Sequence, residues 1–299
     1  MRLARARTPD PKSKALISEE LFMTYLGVPS HQPPKDLESV LKQGNSFGPI
    51  AMSQAQNLLH ADQFRQWCQL RPNFLLVDGN IESSGFEKLS AVSYLCASLV
   101  ASFLHVRDDA IVLHFFCGLH TRLTADLRGP GGLIRSLVWQ LVTSLASRQT
   151  VSLEFIDNRD LRDALEQRDL EMLCDVFGEL MSQLPLDTPV YCIVDGVDWY
   201  EEAEFRASMD HVVDRLRTLV EDKTLKPLFK VLMASSFRTR HIGRILHSRH
   251  RLSLRAEVLD IDVVSERTMA DRMQQLKFNK RSYPKRLSRR DLSDDEDYT

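Results

Sequence analysis

Residues 190–196 read VYCIVDG, an unbroken apolar run that ends in Asp-Gly. Similar short apolar runs occupy residues 74–77, 111–117 and 229–234, and each ends at a polar or glycine residue. Runs of this length without polar alternation are typical of strands that are buried on both faces, as in parallel sheets. The four runs therefore predict four strands, and residues 251–258 form a fifth candidate.

Segments with helical spacing of apolar residues lie between these runs. They cover residues 89–104, 133–145, 170–184 and 205–220, and the Gly-Pro-Gly-Gly sequence at 129–132 predicts a break before the second of them. Strands that alternate with helices build a parallel sheet between two helical layers. The predicted class is α/β with three layers.

The two ends of the chain differ from this pattern. Residues 15–70 predict a helical lead-in, with helices over 15–26 and 54–70 and prolines at 29, 33 and 34 between them. Residues 1–14 are basic, and residues 277–299 are first basic and then acidic. Such segments bury too little apolar surface to offset the cost of ordering. We expect two disordered tails that flank one main domain over residues 71–276.

Charge and cysteine content limit the classes of partner. The chain carries 39 basic and 41 acidic residues, and its middle part is acidic whereas both ends are basic. This distribution argues against nucleic-acid binding by the fold itself, which needs a positive face for phosphates. The five cysteines show no zinc or disulfide spacing. They favour a reducing, cytoplasmic location, and the basic stretch near the C-terminus is also compatible with nuclear import.

Membrane insertion is not predicted. The longest apolar stretch, residues 91–106, is interrupted by serines and a histidine. It is shorter than the roughly 20 apolar residues that a bilayer requires.

Polar residues follow the predicted strands at the edge where open α/β sheets bind ligands. Gly79 follows the first strand and opens a Gly/Ser-rich loop. Asp195 and Asp198 follow the strand at 190–194, and Ser235 and Arg238 follow the strand at 229–234. Taken singly, these residues also have structural explanations, as an Asp-Gly turn or an exposed loop arginine.

Several short stretches resemble one family when they are read in order. They are FRQW at 64–67, FFC at 115–117, LIRSLVWQL at 133–141, IVDGVD at 193–198 and VLMASSFR at 231–238. This series is similar to the P-loop NTPases of the NACHT/STAND group, of the kind abundant in filamentous fungi. The resemblance covers residues 50–245 and implies the strand order 5-1-4-3-2.

The resemblance also implies roles for individual residues. The loop after the first strand takes the Walker A position, and Asp195 takes the Walker B position. ATP or GTP would be bound with Mg²⁺, Asp198 would polarise the attacking water, and Arg238 would face the γ-phosphate. The residues implied in nucleotide binding are Gly79, Ser84, Gly85, Lys88, Ser90 and Arg238, and Asp195 and Ser90 are implied as Mg²⁺ ligands.

The Walker A position departs from the pattern G-x-x-x-x-G-K-[ST]. Lys88 stands three residues after Gly85, Ser90 is not adjacent to it, and Glu87 adds a negative charge near the phosphates. We therefore expect a catalytically inactive interaction scaffold that acts through protein partners or self-association. The alternative is an ATP- or GTP-binding switch that controls self-association, with weak or no hydrolysis.

Overall fold

A computed structural model of the chain describes residues 17–80, 88–156 and 159–254. The predictions for the tails at 1–14 and 277–299 lie outside these residues, as does the predicted end of the fifth strand beyond residue 254.

The sheet has five parallel strands in the order β5-β1-β4-β3-β2. This is the predicted order, and the α/β class with a P-loop-like sheet is confirmed. The strands are β1 Asn73–Asp78, β2 Ile111–Phe116, β3 Pro189–Asp195, β4 Leu228–Ser235 and β5 Arg251–Ser253.

Two layers of helices cover the sheet. One face packs mainly against α1 Glu19–Leu26, α6 Gly129–Ala146, α7 Arg159–Glu166, α8 Leu170–Ser182, α9 Arg206–Glu221 and α10 Ile242–Ile245. The other face packs against α2 Gln32–Lys42, α3 Pro49–His60, α4 Asp62–Trp67 and α5 Ala91–Val106. None of the helices in the described part of the chain has the length and apolar character to cross a bilayer.

Side chains of the central strands alternate between the two layers. In β3, Val190, Cys192 and Val194 belong to one buried cluster, whereas Tyr191 and Ile193 belong to the other. Successive side chains of a strand point to opposite faces, so both clusters draw on each of the strands β1 to β4. The lead-in therefore contributes to both cores, because α1 supplies residues of the first cluster and α3 and α4 supply residues of the second.

The prediction of a break at residues 129–132 was wrong, and the helix that follows Pro29 was not predicted. Helix α6 begins at Gly129 and includes the Gly-Pro-Gly-Gly segment in its first turn. Helix α2 begins at Gln32 and carries Pro33 and Pro34 in its first turn. Both differences have one physical reason: the first N–H groups of a helix have no intrahelical partner, so proline is tolerated there. The predicted helix over 54–70 is divided into α3 and α4 at Ala61.

A glutamine side chain closes the free edge of β2. The His114 N–H donates to Oε1 of Gln140 at 3.0 Å, and Nε2 of Gln140 donates to the His114 carbonyl oxygen at 2.8 Å. The amide thus replaces one residue of a neighbouring strand. Both groups lie in the buried interior, where an unpaired backbone group is costly.

A buried lysine attaches the lead-in to the sheet. Lys230 on β4 is fully buried, and its ammonium group donates to the backbone carbonyl oxygens of Trp67 and Gln69. The Trp67 indole donates to the Val231 carbonyl oxygen at 2.9 Å. Burial lowers the pKa of Lys230 to about 7. The end of α4 is therefore fixed to the central sheet by the Lys230 side chain from β4 and by the Trp67 side chain from α4.

Replacement of Gln140 by leucine tests the closure of the sheet edge. The variant keeps an apolar side chain on α6 but leaves the His114 N–H and carbonyl unpaired. We expect the free energy of unfolding to fall by about 2–4 kcal/mol, measured by chemical denaturation. Gln66→Leu, at an exposed position of α4, is the control and should change stability by less than about 0.5 kcal/mol. Equal effects of both substitutions would contradict this role.

Candidate functional site

The carboxyl ends of the central strands bring the predicted polar residues to one edge of the sheet. In the strand register, Asp78 lies opposite Ser235, and Asp195 lies opposite Ala234. The Gly79 N–H donates to the Ser235 carbonyl oxygen at 2.8 Å. Gly79, Asp195 and Ser235 therefore belong to a single rim. Ser84 and Gly85 lie outside the described residues.

Asp78 at this rim is engaged in structural contacts. Its Oδ1 accepts hydrogen bonds from the backbone N–H and the hydroxyl of Thr239, at 2.9 and 2.8 Å. Its Oδ2 lies 3.3 Å from Nη2 of Arg251 on β5. Asp78 thus fixes the loop after β4 and the edge strand to the end of β1. The sequence offered no signal for this pairing, because the partners are 161 and 173 residues away.

Two serines shape the start of α5. Ser90 is the N-cap residue: its hydroxyl accepts from the Ser93 N–H at 3.3 Å, and the Ser93 hydroxyl accepts from the Ser90 N–H at 2.9 Å. Both residues are buried. This reciprocal cap satisfies two backbone donors at the helix start. Ser90, implied as a Mg²⁺ ligand, is therefore already engaged as a cap.

Ser93, which the sequence reasoning missed, is the serine that lies beside Asp195. Its hydroxyl partly offsets the effect of burial on the pKa of Asp195. Ser93 is in the first turn of α5, where a Walker A motif places its Ser/Thr directly after the lysine. Here the residue before Ser93 is Val92, which is fully buried. The serine pair three residues apart was the available signal, since it marks a helix start.

Asp195 is a buried carboxylate without a strong partner. It is 0% exposed, and neither oxygen makes a hydrogen bond of normal geometry among the described residues. Burial raises its pKa to about 7, an effect that the nearby Asp198 reinforces. Burial also raises the pKa of Asp198, whose Oδ1 likewise has no described partner. The pair can take up a proton or attract a cation.

Lys88 is turned towards the loop after β2. Its ammonium group donates to Oγ1 of Thr121 at 2.7 Å. A Cβ atom built on Gly118 would overlap the Lys88 carbonyl oxygen and lie 3.3 Å from the Trp199 indole nitrogen. Three segments are therefore in direct contact: the one that begins at Lys88, the loop after β2 and the loop after β3. Lys88, implied as a phosphate ligand, is used in this contact.

The loop after β4 is held by Glu201. The Glu201 carboxylate accepts hydrogen bonds from the backbone N–H groups of Arg240, His241 and Ile242, at 2.7–3.0 Å. Arg238, implied as the γ-phosphate sensor, lies in the same loop and is exposed. Its side chain has no ion pair among the described residues.

The donors at this rim fit a nucleotide and its metal only in part. Asp195 and the Ser93 hydroxyl are oxygen ligands of the kind that Mg²⁺ prefers. However, the described residues contain no group of three or more His, Cys, Asp or Glu that could hold a metal ion. The residue before Ser93, where the Walker A pattern has its lysine, is Val92. Among the described residues at this rim, Asp195 and Ser93 therefore offer oxygen ligands, and Val92 offers no charge for a phosphate.

A family model described as Nephrocystin 3, N-terminal, matches residues 54–236. The chain belongs to the Nephrocystin 3 N-terminal family. This domain is of a kind found in NACHT-type proteins. Its match begins in α3 and ends directly after β4, so it includes the rim with Asp195 and Ser93. Neither a curated protein nor a solved structure matches the chain.

Substitution of Gly118 tests the contact between the rim loops of this Nephrocystin 3 N-terminal domain. Gly118→Ala forces the backbone at Lys88 to move, and we expect it to lower the free energy of unfolding by about 1–3 kcal/mol. Gly131→Ala is the control, because a Cβ there meets nothing within 4 Å. In a helix it should be neutral or slightly stabilising. Unchanged stability of Gly118→Ala would contradict the contact.

The buried carboxyl of Asp195 predicts a pH dependence of stability. Its pKa is about 7 in the folded protein and about 3.9 in an unfolded chain, so the folded state binds the extra proton. The contribution of this bound proton to the stability of the fold is complete below about pH 4. It is lost as the pH rises to about 7. Asp195→Asn should remove this loss and be more stable than the original chain at pH 8, by on the order of 3 kcal/mol.

Thermal unfolding from pH 4.5 to pH 8 measures this difference. Asp108→Asn, at an exposed loop position, is the control and should leave the pH profile unchanged. Loss of stability in Asp195→Asn at pH 8 would show that the ionised carboxylate has a favourable partner, which is the opposite of our expectation.

Proposed function

We propose that this chain is a degenerate NACHT/STAND-type domain that acts as a non-catalytic interaction scaffold. The observation that carries the proposal is Val92, which is buried directly before the serine that lies beside Asp195. In a working P-loop this position holds the lysine that reaches the β- and γ-phosphates. Phosphoryl transfer depends on positioned positive charge, so its absence removes most of the chemistry.

The remaining rim residues support the same function. Lys88 donates to Thr121, Ser90 caps α5, and Asp78 holds Thr239 and Arg251. Lys88, Ser90 and Asp78 are thus part of the structural network of the rim. The two hydrophobic clusters on either side of the sheet do not depend on a ligand at this edge. A scaffold of this kind would act through protein partners or self-association.

A second candidate function is a switch that binds ATP or GTP with Mg²⁺ and controls self-association. Both oxygens of Asp195 and Oδ1 of Asp198 lack described partners, and a cation would supply one. In this function Asp195 and the Ser93 hydroxyl would hold the metal. Lys88 would leave Thr121 to reach the phosphates, with Arg238 at the γ-phosphate. Hydrolysis would be weak or absent, because Trp199 follows Asp198 where domains of the NACHT/STAND group often have a further glutamate.

The response of thermal stability to nucleotide separates the two functions. A ligand at 100 times its dissociation constant stabilises a fold by about 2.7 kcal/mol, which a melting experiment detects. For the scaffold we expect no shift with millimolar ATP or GTP and Mg²⁺. The distribution of oligomers in sedimentation velocity should also be the same with and without nucleotide.

Two variants give the outcome that would overturn the scaffold. If nucleotide raises the melting temperature of the original chain, Lys88→Ala should reduce binding by about 1.5–3 kcal/mol, the value of a hydrogen bond to a charged group. Asp195→Asn should then remove the dependence on Mg²⁺ and leave a metal-free component. The switch would be established by a nucleotide-induced rise in melting temperature that is smaller in Lys88→Ala and no longer depends on Mg²⁺ in Asp195→Asn. Each variant is compared with its own nucleotide-free melting curve.

A further inference from the structure

The segment after β4 is strongly basic. Residues 237–251 contain five arginines and no acidic residue, and no Asp or Glu occurs between Asp222 and Glu257. Four of these arginines are exposed: Arg249, which pairs with Glu221, and Arg238, Arg240 and Arg244, which do not. Arg244 lies in the short helix α10, and Arg238 and Arg240 precede it. We call Arg238, Arg240 and Arg244 the arginine surface.

Three carboxylates near this segment contact groups other than the guanidinium groups of the arginine surface. Arg249 lies 3.5 Å from Glu221, and Arg251 lies 3.3 Å from Asp78. Glu201 accepts its hydrogen bonds from backbone N–H groups of the loop and not from a guanidinium group. None of the guanidinium groups of the arginine surface has an ion pair among the described residues.

Exposed apolar side chains lie within the same segment. Phe237 is 38% exposed and Ile245 is 42% exposed. A surface that combines unpaired guanidinium groups with an aromatic and an aliphatic side chain is suited to a short acidic peptide. Its field attracts negative charge even before contact.

We propose that the acidic end of this chain, residues 291–297, binds the arginine surface. These residues read DLSDDED and contain five acidic and no basic residues. Their charge complements the arginine surface, and Leu292 is available for the exposed apolar side chains. The inference does not rest on the proposed function, because it requires no nucleotide at the rim.

The path of the chain favours this contact. Arg251 on β5 donates to the Gly243 carbonyl oxygen at 2.9 Å, so the last described strand contacts α10 three residues before Leu254. Asp294 follows 40 residues later, and a chain of that length can span more than about 100 Å. A tethered segment also acts at an effective concentration of about millimolar. Exposed ion pairs that are individually weak can then hold the segment in place.

A peptide competition assay on the full chain tests the proposal. In the test chain the acidic end is neutralised with Asp291→Asn, Asp294→Asn, Asp295→Asn, Glu296→Gln and Asp297→Asn. The probe is a fluorescent peptide with the sequence of residues 291–299. We expect the neutralised chain to bind the probe at least about 10-fold more tightly than the original chain, whose own segment competes at high effective concentration. Added salt should abolish most of this gain.

Charge reversal locates the contact. Arg240→Glu combined with Arg244→Glu, in the neutralised chain, should remove the gain in affinity. Arg122→Glu combined with Arg206→Glu reverses two exposed arginines elsewhere and should leave it intact. Circular dichroism of each variant checks that the fold is retained. Arg238 is left unchanged, so that the assay does not alter the residue implied in nucleotide binding.

Three results would overturn the proposal. The first is equal affinity of the original and neutralised chains for the probe. The second is a gain that persists after reversal of Arg240 and Arg244, which would place the acidic end on another basic site, such as residues 280–290. The third is a gain that appears only when a dimer dissociates, which would assign the contact to a second copy of the chain. Because nucleotide is absent, none of these results decides between the scaffold and the switch.

Discussion

Burial of β3 and β4 on both faces is the constraint on which the rest of the structure depends. Every residue of β3 is buried, so neither face of the central sheet can be left to solvent. The two hydrophobic clusters therefore need helices from the whole length of the described chain, including the lead-in. This constraint also explains why a polar or charged side chain in these strands must find a partner or change its protonation state.

Two ionisable groups at opposite ends of the central strands meet this constraint in different ways. Lys230, near the start of β4, is fully buried but donates to two backbone carbonyl oxygens of the lead-in. Asp195, at the end of β3, is equally buried, but neither of its oxygens makes a hydrogen bond of normal geometry among the described residues. The same desolvation therefore strengthens the attachment of α4 at one end and leaves an unsatisfied acidic group at the other. A free carboxylate of this kind is a poor structural element, and it is the feature of the rim that a ligand or a proton would most affect.

The sequence was sufficient to predict the elements that depend on local patterns. The apolar runs at 74–77, 111–117, 190–194 and 229–234 predicted the strands, because the pattern of a doubly buried strand is visible over a few residues. Pro33 and Pro130 were misread since their effect depends on whether a helix begins at that point. The strand order was predicted only through the family resemblance. Neither propensity nor periodicity fixes which strands are neighbours.

The candidate site was less predictable because its contacts join distant parts of the chain. The rim position of Asp195 followed from its place at the end of an apolar run, but the contact between Lys88 and Thr121 spans 33 residues and has no local signal. The serine implied as a Mg²⁺ ligand and the serine beside Asp195 also differ. Ser90 is nearer to the expected distance from Gly79, yet the reciprocal cap makes Ser90 the start of α5 and places Ser93 one turn further, beside Asp195.

Charges in the interior and charges on the surface of this chain respond to different solution conditions. This difference distinguishes the acidic pair at the rim from the arginine surface. The acidic pair at the rim is enclosed, where salt screens little and protonation dominates. The arginine surface is exposed, where a charge pair is screened within about 10 Å at moderate ionic strength. Binding of a proton or a cation at Asp195 should therefore respond to pH and to divalent cations but little to monovalent salt. A contact at Arg240 and Arg244 should respond to salt and little to pH near neutrality, because guanidinium and carboxylate groups in water keep their charge there.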